Sequence, residues 1–91
     1  MNMIKVSDLV HGQTIRLKYD LRHCYEDENY LSKRFTIKAN SHLIYDGYKV
    51  NRLGIFLKFI HIEECKVVYD LWSDSNALEA IHTSTDKFEL I

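Results

Sequence analysis

Residues 14–25 alternate between two sets of side chains without interruption, and no other feature of the sequence restricts the fold as strongly. Successive side chains of a β-strand point to opposite faces, whereas a helix repeats every 3.6 residues and would mix the two sets. The alternation therefore predicts one long strand with a buried face and a solvated face. The inward set is Ile15, Leu17, Tyr19, Leu21, His23 and Tyr25, and the outward set is Thr14, Arg16, Lys18, Asp20, Arg22 and Cys24.

A second alternation follows and predicts an antiparallel hairpin that turns near residues 26–28. Its inward residues are Leu31, Phe35, Ile37 and Ala39, and its outward residues are Tyr30, Ser32, Arg34, Thr36 and Lys38. A three-residue turn sets Tyr19 opposite Phe35, Leu17 opposite Ile37 and Asp20 opposite Arg34. A five-residue turn would oppose Arg22 to Arg34, which is unfavourable for like charges, so the shorter turn is preferred.

The rest of the chain also favours strands. Asp46-Gly47 predicts a two-residue type I′ hairpin turn that sets Tyr45 against Tyr48 and Leu43 against Val50. Residues 54–62 (GIFLKFIHI) are apolar on both faces, which is typical of a central strand covered on two sides. Residues 66–72 and 87–91 predict further strands, and 77–81 a short helix capped by Asn76.

The chain of 91 residues has no proline, three isolated glycines and no repeat, so nothing marks an internal boundary. We expect a single compact β-rich domain over residues 1–91. Its fold class is mainly β (β-rich α+β), as a small antiparallel barrel or a strongly curved sheet of six to seven strands with one short C-terminal helix.

Charge and composition exclude several classes of protein. Lys and Arg total 12 against 13 Asp and Glu, so a net charge of −1 provides no global field for DNA, RNA or an anionic membrane. Two cysteines are too few for a disulfide framework, and residues 1–5 do not resemble a signal peptide, so we expect a cytoplasmic location. The apolar stretch 54–62 is too short to cross a bilayer, and no membrane association is expected.

The hairpin prediction gathers cations on one outward face, which makes that face the candidate binding surface. Cations spaced along strands could meet the phosphates of a single-stranded nucleic acid while a tyrosine stacks on a base. The alternative, which the sequence favours, is that this is the ordinary solvated face of an antiparallel sheet. The residues concerned are Arg16, Lys18, Arg22, Tyr30, Arg34 and Lys38.

The sequence carries no motif for catalysis, a metal or a cofactor. His23 and Cys24 are adjacent on a strand and would point to opposite faces, so they cannot easily share a zinc ion, and no Cys-x-x-Cys is present. The five histidines are scattered without a local catalytic signature, and the glycines form no phosphate-binding loop. We expect no enzyme activity, no metal and no cofactor.

By exclusion, the leading interpretation is a small non-enzymatic interaction or regulatory protein. It would bind and block or modulate a larger protein or nucleoprotein complex, as accessory inhibitors of phages and mobile elements do. The alternative is a single-stranded nucleic-acid-binding module that uses the basic sheet face. Because no proline protects an edge strand, a homodimer is a further expectation beside a protein partner.

Overall fold

The computed structural model describes residues 3–29 and 31–91. Seven antiparallel strands form one sheet that curls into a half-barrel, in the order β4-β3-β7-β6-β5-β2-β9, and β1 pairs with β8 in a separate two-stranded ribbon. The mainly β fold class is therefore confirmed. The strands are β1 (Ile4–Lys5), β2 (Thr14–Leu17), β3 (Leu21–Tyr25), β4 (Phe35–Ile37), β5 (His42–Asn51), β6 (Gly54–His61), β7 (Lys66–Ser73), β8 (Ser84–Thr85) and β9 (Phe88–Leu90).

The strand predicted to be central is central. β6 lies between β5 and β7 and pairs with both along most of its length. Ile55, Leu57 and Phe59 face the interior of the half-barrel and are fully buried, and Phe56 on the opposite face is also fully buried. Burying each such side chain stabilises the fold by about 1.5–3 kcal/mol relative to leaving it exposed.

The core fills the inside of the half-barrel and ends in an aromatic stack. Phe59 packs against Phe88, whose ring lies 5.8 Å from the Trp72 ring in a stacked arrangement. The Trp72 Nε1–H donates a hydrogen bond to the Ala80 carbonyl at 2.9 Å, which fixes the nearby 3-10 turn to the core. The aromatic stack therefore joins β6, β7 and β9.

Residues 14–25 do not form one strand, and the predicted single strand is wrong at residues 18–20. The chain bends there, so that β2 pairs with β5 and β9 while β3 pairs with β4 and β7. The Asp20 carboxylate accepts the Ala39 N–H, and Tyr19 is 53% exposed instead of inward. Alternation fixes the face of each side chain but not the direction of the chain, so a sharp bend between two strands leaves the pattern intact.

The predicted register of the hairpin is also wrong. Leu21 pairs with Ile37 and Cys24 with Phe35, and the register shifts between these two pairs. This irregularity exchanges the faces beyond it, so Cys24 is buried and His23 is exposed, the reverse of the prediction.

The connection between β3 and β4 is longer than the predicted turn. The Asp27 carboxylate accepts the N–H groups of Asn29 and Leu31, and these hydrogen bonds lower the pKa of Asp27. Leu31, predicted to lie inward, is 84% exposed. Local side-chain hydrogen bonds of this kind stabilise a loop in place of a ladder.

Asp46-Gly47 is a β-bulge and not a hairpin turn. Tyr45 pairs with Phe59 and Tyr48 with Leu57, so Asp46 and Gly47 together oppose a single residue of β6. Gly47 has the positive φ of +95° that the sequence indicated, but β5 continues through it. The predicted pairing of Tyr45 with Tyr48 is therefore wrong.

The true turn of this hairpin comes at Arg52 and Leu53, between the paired Asn51 and Gly54. The Asn51 Oδ1 accepts the Leu53 N–H at 2.8 Å, which stabilises the turn. Val50, which the predicted turn placed opposite Leu43 on a buried face, pairs with Ile55 and is 44% exposed.

The helical segments are short. A 3-10 turn spans Val6–Asp8, and a second spans Leu78–His82 where a capped helix was predicted. No side chain caps the second turn, so the predicted Asn76 cap is wrong, although a short helical segment is present and the predicted last strand is confirmed as β9. Within residues 3–29 and 31–91, no helix has the length and apolar character needed to cross a membrane.

Gly54 and Gly12 offer a matched test of backbone packing, because both have positive φ. A Cβ on Gly54 would lie 2.2 Å from the Ser73 carbonyl oxygen, whereas a Cβ on Gly12 would meet nothing within 4 Å. We expect Gly12→Ala to lower the free energy of unfolding by about 1 kcal/mol and Gly54→Ala by about 3 kcal/mol or more. Urea denaturation measures both, and equal losses would contradict the close approach at Gly54.

Candidate binding groove

A groove of about 670 Å³ lies between β4 and the β6–β7 hairpin. One wall is formed by β4 and its flanking residues 32–38, and the other by the end of the β6–β7 hairpin from His61 to Val68. The groove exists because β4 follows β3 around the curl of the sheet while the β6–β7 hairpin extends past the end of β3. We define this groove as the candidate site.

The inner surface of the groove is partly apolar. Phe35, Ile37 and Val68 turn towards the interior, and the last two are buried. His61 is also buried, and its Nδ1 accepts a hydrogen bond from the Glu64 N–H at 3.2 Å. That bond places the proton of the neutral ring on Nε2, so the imidazole has one remaining donor.

Charges of both signs surround this apolar surface. Lys33, Arg34 and Lys38 lie on the β4 side, while Glu63 and Glu64 lie on the hairpin side. Glu26 and Lys66 complete the charged lining, and Lys66 Nζ is 3.8 Å from Glu64 Oε1. Charges of opposite sign on the two walls suit a ligand that carries both signs, such as a peptide, better than a polyanion.

The free edge of β4 faces this groove. β4 is the terminal strand of the sheet and pairs only with β3 among the described strands. Thr36 lies between the two residues that pair with β3, at the point where the register of the two strands shifts. The free edge of a terminal strand of this kind can accept a further strand.

The structure separates the residues of the predicted basic face. Arg34 and Lys38 lie together in the groove. Arg16 lies on β2, where its guanidinium forms an ion pair with Glu89 and donates to Asn40 Oδ1 at 3.4 Å. Arg22 is exposed on β3, 3.9 Å from Asp20.

Two further residues of the predicted surface remain. Lys18 lies in the bend between β2 and β3, outside the groove lining. Tyr30 lies outside the described residues.

Sequence reasoning missed two groove cations, Lys33 and Lys66, and the histidine at its base. The sequence could have predicted Lys33 as a groove residue, because it neighbours Arg34 in the predicted hairpin. Lys66 and His61 come from another hairpin, and only the spatial order of the strands brings them to β4.

A second, smaller cavity of about 430 Å³ lies at the β-bulge. There the Asp46 carboxylate is 3.2 Å from Lys58 Nζ and 3.9 Å from His11 Nδ1. The hydrogen bond from Lys58 to Asp46 raises the pKa of that lysine. The bulge thus carries an ion pair on the outer face of the sheet.

The core contains a pair of neighbouring ionisable side chains. Asp70 on β7 and Cys24 on β3 are direct partners across the sheet, and both are buried. Burial raises the pKa of Asp70 to about 7, while the charge of Lys87 acts in the opposite direction. Burial, with the nearby Asp70 charge, also raises the pKa of the Cys24 thiol, so this thiol stays protonated and is a poor nucleophile.

Neither cysteine forms a disulfide: Cys24 is a buried free thiol and Cys65 an exposed one. Among the described residues, no three His, Cys, Asp or Glu side chains are grouped so as to hold a metal ion. Comparisons with protein-family models, curated proteins and solved structures give no match to this chain.

The pKa of Asp70 predicts an unusual dependence of stability on pH. Because the folded-state value lies above the ordinary value of 3.8, the folded protein holds this proton more tightly than the unfolded chain. The resulting stabilisation is complete below pH ~4 and is lost as the pH rises through ~7, by about 2–4 kcal/mol. We expect Asp70→Asn to remove this slope.

Urea denaturation at several pH values measures the effect as the difference between wild type and variant. Asp74→Asn, at an exposed position just after β7, is the control and should keep the wild-type slope. Parallel profiles for wild type and Asp70→Asn would contradict the prediction.

Proposed function

We propose that this protein is a non-enzymatic interaction module that binds a larger protein and blocks or modulates it. In this proposal an extended segment of the partner lies in the groove and pairs with β4 as an added strand. The observation that carries the proposal is that the free edge of β4 forms a wall of the groove. Strand addition of this kind gains affinity from main-chain hydrogen bonds and specificity from alternate side chains.

The groove has the chemistry that such a segment requires. Every second side chain of an added strand would point inward, towards Phe35, Ile37 and Val68. Side chains near the rim would meet Arg34 and Lys38 on one wall and Glu63 and Glu64 on the other. A partner segment with apolar residues at alternate positions and charges of both signs is the best fit.

Blocking follows from the size of the domain. Its principal extents are 32 × 29 × 21 Å, so a docked copy covers a patch of the partner about as wide as a small domain. Binding one exposed segment would therefore occlude the surface around it without any chemical step. A domain with a free strand edge and a groove can therefore act as an inhibitor by covering the surface of its partner.

Thr36→Pro tests strand addition directly. Proline removes the Thr36 N–H and places a ring at the edge, but Thr36 is not one of the residues paired with β3. We expect at least about a tenfold loss of affinity for the partner, because one main-chain hydrogen bond is lost and the proline ring sterically hinders the added strand. Thr36→Val changes the side chain, keeps the N–H and should bind like wild type.

The measurement is quantitative pull-down from the native host followed by crosslinking through Lys33, Lys38 and Lys66. Crosslinks from these three lysines should converge on one extended segment, and a synthetic peptide of that segment should show the same order of affinities in calorimetry. A partner that binds Thr36→Pro and wild type equally, or crosslinks only outside the groove, would refute the proposal. Circular dichroism verifies that both variants are folded.

A second candidate function is binding of single-stranded nucleic acid in the same groove. The observation in its favour is that Lys33, Arg34 and Lys38 follow one another along a single wall. The opposing acids Glu26, Glu63 and Glu64 weigh against it, because they repel phosphates.

This candidate makes a prediction of its own. The affinity for single-stranded oligonucleotides should fall steeply with salt, with a logarithmic slope of about −0.7 for each phosphate neutralised. Fluorescence anisotropy at two salt concentrations measures the slope. Arg34→Glu combined with Lys38→Glu should abolish binding while Arg22→Glu, outside the groove, has little effect, and a lack of binding at low salt eliminates the candidate.

A further inference from the structure

His61 brings to the groove a hydrogen-bond donor that the rest of the protein leaves unused. The side chain is only 7% exposed, and its Nδ1 accepts the Glu64 N–H at 3.2 Å. Within residues 3–29 and 31–91, the Nε2–H of His61 has no hydrogen-bond partner, yet the Nε2 atom is not sealed from solvent. Since His61 lines the groove, this donor opens into it.

A buried donor without a partner can discriminate between ligands. The surrounding side chains remove most of its water, and the protein supplies no hydrogen bond in exchange. The bond from the Glu64 N–H already holds the ring in place, so a ligand acceptor meets a donor that is pre-organised. A ligand of the same shape without an acceptor leaves the donor buried and unpaired, and therefore binds more weakly.

The walls beside this donor determine what else the ligand must carry. Phe35, Ile37 and Val68 form the apolar inner surface, which favours an aromatic body that packs against Phe35. Glu63 and Glu64 on the hairpin wall can accept a hydrogen bond from a hydroxyl. A phenol meets both requirements, because its ring is apolar and its oxygen both accepts and donates.

The cations of the groove do not make its base a site for a carboxylate. Arg34 and Lys38 are exposed and alternate along the chain with the two inward residues of β4, so their charges lie at the rim. Lys66 Nζ is 3.8 Å from the Glu64 carboxylate. A carboxylate at the base would therefore be buried beside a neutral imidazole, which is unfavourable.

We propose that His61 makes the groove selective for a tyrosine of the partner segment. The tyrosine ring packs against Phe35, Ile37 and Val68, and its oxygen accepts the hydrogen bond from the His61 Nε2–H. Phenylalanine fills the same space but leaves the donor unpaired. This inference deepens the proposed function and rests on it for the nature of the partner, whereas the tyrosine site belongs to the groove alone.

Two neutral probes that differ by a single hydroxyl test the donor without the partner. N-acetyl-tyrosinamide and N-acetyl-phenylalaninamide are titrated into the full chain, and the chemical shifts of its backbone amides give the dissociation constants. We expect the tyrosine probe to bind in the groove at least about fivefold more tightly and to shift the His61 Nε2 resonance. Equal affinities, no binding of either probe, or shifts confined to residues outside the groove would overturn the proposal.

His61→Phe tests whether this histidine is the source of the preference. The variant keeps an aromatic ring and loses the donor, so the two probes should bind it equally. His82→Phe, at an exposed position in the second 3-10 turn, is the matched control and should keep the wild-type preference. Circular dichroism verifies that both variants are folded, and the Nε2 shift of the wild type decides the question if His61→Phe is not. A tyrosine preference that survives in folded His61→Phe would contradict the role of His61.

Thr36→Pro separates this inference from strand addition. The probes are too short to form a ladder with β4, so Thr36→Pro should bind them like wild type. If the tyrosine preference holds but the partner binds Thr36→Pro and wild type equally, strand addition is refuted and the tyrosine site stands. If the partner is sensitive to Thr36→Pro but the probes bind wild type equally, the tyrosine site is refuted and strand addition stands.

Discussion

A strand that is apolar on both faces must be covered on both sides, and the architecture depends on meeting this need for β6. On the interior side, the curl of the sheet brings Ile15, Leu17 and Phe88 over it. On the outer side, the Tyr25 ring lies edge-on to Phe56 with ring centres 6.4 Å apart. The half-barrel is therefore the geometry in which one sheet supplies most of the cover for its own central strand.

The curl is produced by local departures from regular strand geometry. The bend at residues 18–20, the shifted register of β3 and the bulge at Asp46-Gly47 each turn the chain where a flat sheet would continue. The same departures help to place β4 opposite the β6–β7 hairpin, where it forms one wall of the groove, and the bulge also places Asp46 beside Lys58.

The sequence determines which residues lie inside more clearly than where the chain turns. Residues 54–61 could be predicted because a strand buried on both faces needs no knowledge of its neighbours. Gly47 shows the limit, since a positive φ serves a hairpin turn and a bulge equally well, and only the pairing of Tyr48 with Leu57 distinguishes them. Arg34 and Lys38 could be identified as surface cations, but their position opposite Glu63 depends on strand order, which alternation does not encode.

The attachment of the groove wall has a consequence for dynamics. β3 is joined to β7 by only two residue pairs, Cys24 with Asp70 and Tyr25 with Tyr69, whereas β6 and β7 share seven. Separating β3 from β7 breaks fewer backbone hydrogen bonds than separating β7 from β6. Amide hydrogens of β3 and β4 should therefore exchange with solvent faster than those in the centre of the sheet. A partner strand docked on β4 would add backbone hydrogen bonds to this weakly held segment and slow that exchange. Partner binding would then be coupled to the local stability of β3 and β4.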